Sequence, residues 1–230
     1  MKLKSKLIAT IVSICAAIAV MGVGVWAATS QFTVQVTNKV NFTVNNLAGT
    51  ITVTGAATIN GAAQDENYTN KLNAVELYDS TDATPATTTD ISVNGTVKYD
   101  GAGLFDEDHA ASGVIDATTK TAVLSYTFVY DAPTAAGAGY TVVTITPGEN
   151  MPTLNATGAT IECTYSAGAS TTGDLDAATI ELYAAAGTDI TVTITCTYTN
   201  NDLVSVVGSG SFDFDIKFES ASEHRGTAIA

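Results

Sequence analysis

Positive charge is scarce in this chain: nine Lys and Arg stand against 23 Asp and Glu, a formal net charge of −14. Nucleic acid is not an expected partner, because phosphate binding needs clustered Lys and Arg. Histidine is scarcer still, with His109 and His224 far apart in sequence. A paired-histidine zinc motif is therefore missing, and any histidine base would have to be one of these two. There is no Gly-x-Ser-x-Gly elbow and no phosphate-cradling glycine loop. A pair of glycosidase-type carboxylates leaves no linear signature, and no other motif supports one. The expectation is a protein that is not an enzyme, with no catalytic residue, no cofactor and no metal site.

Leucine, lysine and glutamate are sparse, whereas threonine, valine, isoleucine, alanine and glycine dominate. That mixture disfavours helices and favours strands. The first residues are the exception: a basic start (Lys2, Lys4, Lys6), an apolar stretch from Leu7 to Trp26, and small residues from Ala27 onward. This is the layout of a secretory signal, with cleavage after Ala27 or Ala28. The stretch is also long enough to span a bilayer, so an uncleaved signal helix serving as an anchor is the alternative. Removal of residues 1–27 takes the formal charge to −17, since it removes three lysines and no acid. The remaining residues, 28–230, are read as one domain.

Alternation with a period of two marks the strands. Phe32, Val34 and Val36 alternate in residues 31–37, and Val40, Phe42 and Val44 in residues 39–45; Ile51 and Val53 continue the pattern. Further strands are expected over 73–78, 91–99, 121–130, 140–146, 160–165, 180–183, 189–199, 203–207 and 211–219. Ile190, Val192, Ile194, Cys196 and Tyr198 share one face of their strand, as do Phe212, Phe214, Ile216 and Phe218. Residues 80–90 and 132–139 read as loops, and 101–120 as a long connection with room for a helical turn. Many short strands between turns imply an all-β, jelly-roll-like β-sandwich preceded by the N-terminal signal helix.

The polar clusters are few. Asp100 with Asp106, Glu107, Asp108 and His109 is oxygen-rich, but its spacing fits no EF-hand loop, and a solvated acidic loop is the expectation. The stretch 173–176 is weaker. Tyr126, Phe128 and Tyr130 fall on one side of a strand, where core packing is the commoner reason than a sugar platform. Asp213, Asp215 and Lys217 read as a solvated face. Once Cys15 leaves with the signal, Cys163 and Cys196 remain, in the matching contexts Glu-Cys-Thr-Tyr-Ser and Thr-Cys-Thr-Tyr-Thr. They are either a disulfide of an exported chain or two reduced core thiols.

The junction Met21-Gly22-Val23-Gly24-Val25-Trp26-Ala27-Ala28, followed by a β-rich start, resembles the TasA/camelysin family of exported bacterial proteins. The resemblance covers about ten residues plus the β-rich character of the rest, and Thr29-Ser30-Gln31 depart from the family's usual continuation. It implies processing by a SipW-type signal peptidase and a secreted jelly-roll subunit of the extracellular matrix or cell surface. Such a subunit polymerises with itself when the N-terminal segment of one copy completes the sheet of the next. Here the exchangeable strand would be residues 31–37, with Phe32, Val34 and Val36 filling pockets at every second position. The same segment pairing within its own domain is the alternative. Matrix or surface proteins and polysaccharide are the further partners implied. A monomeric secreted adhesion or carbohydrate-binding module is the competing function. Camelysin relatives described as metal-dependent proteases find no matching ligand set in this chain.

Overall fold

A computed structural model of the chain describes residues 33–45, 47–64, 75–77, 95–105, 115–133, 138–176 and 178–230. Among them are strands and turns and no helix. In chain order the strands begin with β1 (Thr33–Val34), β2 (Val36–Asn45), β3 (Gly49–Ile59) and β4 (Ala62–Ala63). Next come β5 (Val75–Leu77), β6 (Gly95–Phe105), β7 (Thr121–Asp131) and β8 (Tyr140–Pro147). They are followed by β9 (Thr153–Leu154), β10 (Thr160–Ala167), β11 (Thr171–Asp174) and β12 (Ile180–Ala185). The last are β13 (Ile190–Thr199), β14 (Val207–Ser209), β15 (Ser211–Ala221) and β16 (Thr227–Ala228). The residues expected to form the signal, including Ala27 and Ala28, lie outside the described residues.

Two large sheets face each other. One is six-stranded, in the order β16-β12-β8-β15-β2-β6; the other is seven-stranded, in the order β11-β10-β13-β7-β3-β4, with β5 also on β3. The long strands β2, β3, β6, β7, β8, β10, β12, β13 and β15 alternate between these sheets as the chain advances. A small third sheet, β1-β14-β9, sits at one end.

The alternation in sequence becomes the inner face of each sheet. β7 buries Ala122, Leu124, Tyr126, Phe128 and Tyr130, and β15 buries Phe212, Phe214, Ile216 and Phe218. Rings from the two sheets meet at the centre: Phe128 lies 5.7 Å from Phe42 of β2 and 6.3 Å from Phe214, and Tyr126 meets Phe214 edge-on at 5.9 Å. Burying each such side chain is worth roughly 1.5–3 kcal/mol, and each ring pair about 0.5–1.5 kcal/mol more.

Several strand boundaries differ from expectation. The strand expected over 203–207 forms instead at Val207–Ser209. Asn200 is the reason: fully buried, it donates Nδ2 to the Val204 carbonyl at 2.9 Å and accepts from the Val204 amide at 3.0 Å. That clamp holds Asn200 to Val204 in a turn with Leu203 at φ 52°, so local hydrogen bonding overrides the strand propensity of the apolar residues. β6 runs on to Phe105, and the connection after it ends in a turn closed by Asp116, which accepts from the Thr118 amide at 2.7 Å and its hydroxyl at 2.6 Å.

Candidate functional site

The N-terminal strand is the first candidate, because its neighbours are unusual. β2 lies between β15 and β6, parallel to β15 from Thr37 opposite Ser211 to Asn45 opposite Glu219, and antiparallel to β6. β1 continues the same parallel register onto β14, with Thr33 opposite Val207 and Val34 opposite Gly208. Gln35 joins the two pieces, donating its amide to the Gly208 carbonyl at 3.0 Å. The partner strand bends at Gly210, whose φ of 133° and space suit no larger residue: a Cβ there would lie 2.7 Å from the Pro152 Cα. Outside a hairpin, a parallel neighbour has to come from a distant part of the chain, and here the two partners are the two ends of the described fold.

Of the residues expected to fill pockets, Val34 and Val36 are buried, at 3% and 1% exposure, with Gln35 between them exposed. Phe32 lies outside the described residues. Residues 33–37 thus pair within their own chain, with Val34 and Val36 inward. Two residues beyond Val36, on the same face, buried Asn38 donates its Nδ2 to the Tyr126 hydroxyl, and its Oδ1 has no partner among the described residues. Burial of an amide among aromatic rings costs stability unless its hydrogen bonds are made. A one-residue slip of the strand would turn Asn38 outward and take its Nδ2 away from the Tyr126 hydroxyl.

Among the described residues the remaining polar candidates do not converge. Among the described residues no three His, Cys, Asp or Glu side chains come together as metal ligands. Asp106, Glu107, Asp108 and His109 lie outside the described residues, and Asp100 is placed by register alone, opposite Lys39. In the 173–176 stretch, the residues through Asp174 belong to edge strand β11 and Asp176 caps a turn by accepting from the Ala178 amide at 2.8 Å. Tyr126, Phe128 and Tyr130 are core residues, so they offer no platform for a sugar. Asp213, Asp215 and Lys217 line the outer face of β15, where Asn41 bonds Asp215 and Lys217 pairs with Glu219 at 2.8 Å.

One surface group has no counterpart in the linear reading. On the outer face of the six-stranded sheet, His224 stacks on Tyr183 at 4.6 Å and meets Tyr140 edge-on at 5.2 Å; Tyr140 and Tyr183 are 5.6 Å apart. Beside them Arg225 bridges Glu181 at 3.3 Å and also pairs with Glu219. Burial works to raise Glu219, but Lys217 and Arg225 outweigh it and hold the carboxyl below its ordinary range. The one available signal was that Tyr183 falls out of phase with the inward residues Leu182 and Ala184.

Cys163 on β10 and Cys196 on β13 are direct cross-strand partners, their sulfurs 3.1 Å apart. The neighbouring Cys163 thiol and burial push the Cys196 thiol well above its ordinary value. The twin sequence contexts thus lie on adjacent strands, facing each other. No protein-family model matches the chain, and no curated protein is significantly similar to it.

Proposed function

We propose that the chain is an exported structural subunit of a surface filament or biofilm matrix, assembling when the N-terminal strand of one copy adds to the sheet of the next. The observation that carries this reading is the parallel insertion of residues 33–45 beside β14 and β15. A strand that shares no hairpin with its neighbour can be supplied by a second copy in the same register, with the same backbone bonds and the same buried valines. Residues 31–37 are the exchanging part, with Phe32, Val34 and Val36 as the groove-filling side chains. The jelly-roll form of the sandwich belongs to this reading. The alternation of successive strands between the two sheets supports it, while the parallel pairing of β2 with β15 departs from an all-antiparallel roll. Export through a cleaved signal, extracellular or cell-surface location and a role without catalysis complete the proposal, in keeping with the TasA/camelysin resemblance.

Electron microscopy of the protein lacking residues 1–27 tests it: filaments are expected, and deleting residues 29–37 abolishes them. Monomers alone, unchanged by the deletion, would contradict the proposal. A second reading, a monomeric module for carbohydrate or adhesion, is favoured by the Tyr140, Tyr183 and His224 rings on the outer face. Binding on a glycan array that is lost in Tyr183→Ala would support it, and a silent array would remove it.

A further inference from the structure

We infer that Cys163 and Cys196 form a built disulfide site, opened to oxidants through Cys163 and closed by Cys196, which staples the edge hairpin β10–β11 to the body of the seven-stranded sheet. The Cys163 carbonyl accepts from the Leu175 amide at 2.7 Å, on the β11 side, so the backbone polar groups of Cys163 turn away from β13. The Gly168 amide bonds the Thr191 carbonyl at 3.0 Å, so the even-numbered residues of this strand are those that bond β13. From the other direction, the Asn200 amide bonds Lys120 at 2.7 Å, which turns the even-numbered residues of β13, Cys196 included, toward β7. Cys163 and Cys196 are therefore a non-hydrogen-bonded antiparallel pair.

In such pairs the Cα atoms approach to about 4.5 Å and the side chains are closer than at hydrogen-bonded pairs. That falls inside the window of about 4.4–6.8 Å that disulfides span. Both side chains lie on the inner face, where Cys196 shares its row with buried Ile194 and Tyr198. The two sulfurs are thus brought together by strand register, not by a mobile loop.

Exposure gives the pair a direction. Cys196 is 0% exposed, whereas Cys163 is only partly buried. A small-molecule disulfide, R–S–S–R, reaches Cys163 alone. The Cys163 thiolate attacks one sulfur, the R–S–S–R bond breaks, R–S⁻ leaves, and a mixed disulfide forms at Cys163. Cys196 then gives its proton to the released R–S⁻ and attacks the Cys163 sulfur, expelling the second R–S⁻, which takes up the proton lost by Cys163. Two protein thiols are oxidised and one R–S–S–R is reduced to two R–SH. Burial and a raised proton affinity keep the Cys196 thiol out of the first step, and in the second the 3.1 Å proximity of the two sulfurs offsets its low acidity.

The test uses oxidised glutathione with the full chain carrying Cys15→Ala, read by intact mass and peptide mapping. The folded chain is expected to lose two hydrogens with no glutathione retained. In the same background Cys196→Ala accumulates a glutathione adduct at Cys163, while Cys163→Ala stays unmodified at least tenfold longer than Cys196→Ala. Should either variant fail to fold, the alkylation order of the unsubstituted pair decides: Cys163 reacts first and Cys196 only after denaturation. Two thiols that persist in the folded chain, under conditions that oxidise the denatured chain, would overturn the inference. So would equal reactivity of the two sulfurs in the folded chain.

Discussion

The centre of the sandwich and its β10–β11 flank are built on different terms. At the centre, Phe42, Tyr126, Phe128, Phe214 and Phe218 are at most 1% exposed and touch ring to ring across the two sheets. On the flank, β11 is Thr-Thr-Gly-Asp and no residue of β10 before Ala167 is fully buried. Rings hold the middle; backbone ladders, and in our inference one covalent bond, hold the edge. The two regions should therefore fail separately, one under loss of packing volume and the other under reduction.

The largest expected break is at the centre. Phe128→Ala removes a ring that meets Phe42, Phe214 and Phe218, and should cost about 3–5 kcal/mol in chemical denaturation. Next comes the flank. Reducing the disulfide, which would close a loop between residues 163 and 196, should cost about 3–4 kcal/mol by loop entropy. It should also accelerate hydrogen exchange in β10 and β11 and leave β7 protected. Asn200→Ala sharpens the contrast: it removes the amide that closes the turn to Val204, for a loss of about 1–3 kcal/mol.

The smallest effect is a pH dependence at Asp116, which touches neither region. The Thr118 hydroxyl, opposed by some burial, holds this carboxyl below its ordinary range in the folded chain. A depressed folded value means that the group stabilises the fold above the ordinary carboxylate range. The contribution disappears as pH falls through the lower, folded value. Thermal melts of Asp116→Asn against the parent should differ near neutral pH and converge in acid; a constant gap across that window would remove the effect.

Legibility from sequence follows the same division. β7, β13 and β15 alternate strictly because both faces have a fixed environment, so their inward rows could be read directly. β11 could not, because an edge strand of Thr, Gly and Asp has no apolar phase to display. The turn at 200–204 was hidden for the opposite reason: Leu203, Val204, Val206 and Val207 carry strand propensity, and only the buried amide of Asn200 decides against it. The facing of Cys163 and Cys196 depends on which strand pairs with which, a non-local fact that matching contexts hint at without specifying. The same holds for β2 beside β15, whose partners come from opposite ends of the chain. The candidate strand and β15 were each readable as strands; their parallel pairing was not.

The most direct test of strand exchange mixes two single-cysteine proteins, each with Cys15, Cys163 and Cys196 replaced by alanine. One carries Thr33→Cys and the other Val207→Cys, positions that are register partners across β1 and β14. After assembly, a short bifunctional thiol reagent is added. Strand addition between copies should join the two proteins into a mixed cross-linked species that disappears when residues 29–32 are deleted. If the double variant cross-links within one chain while the mixture never does, the strand stays at home and the filament account is contradicted.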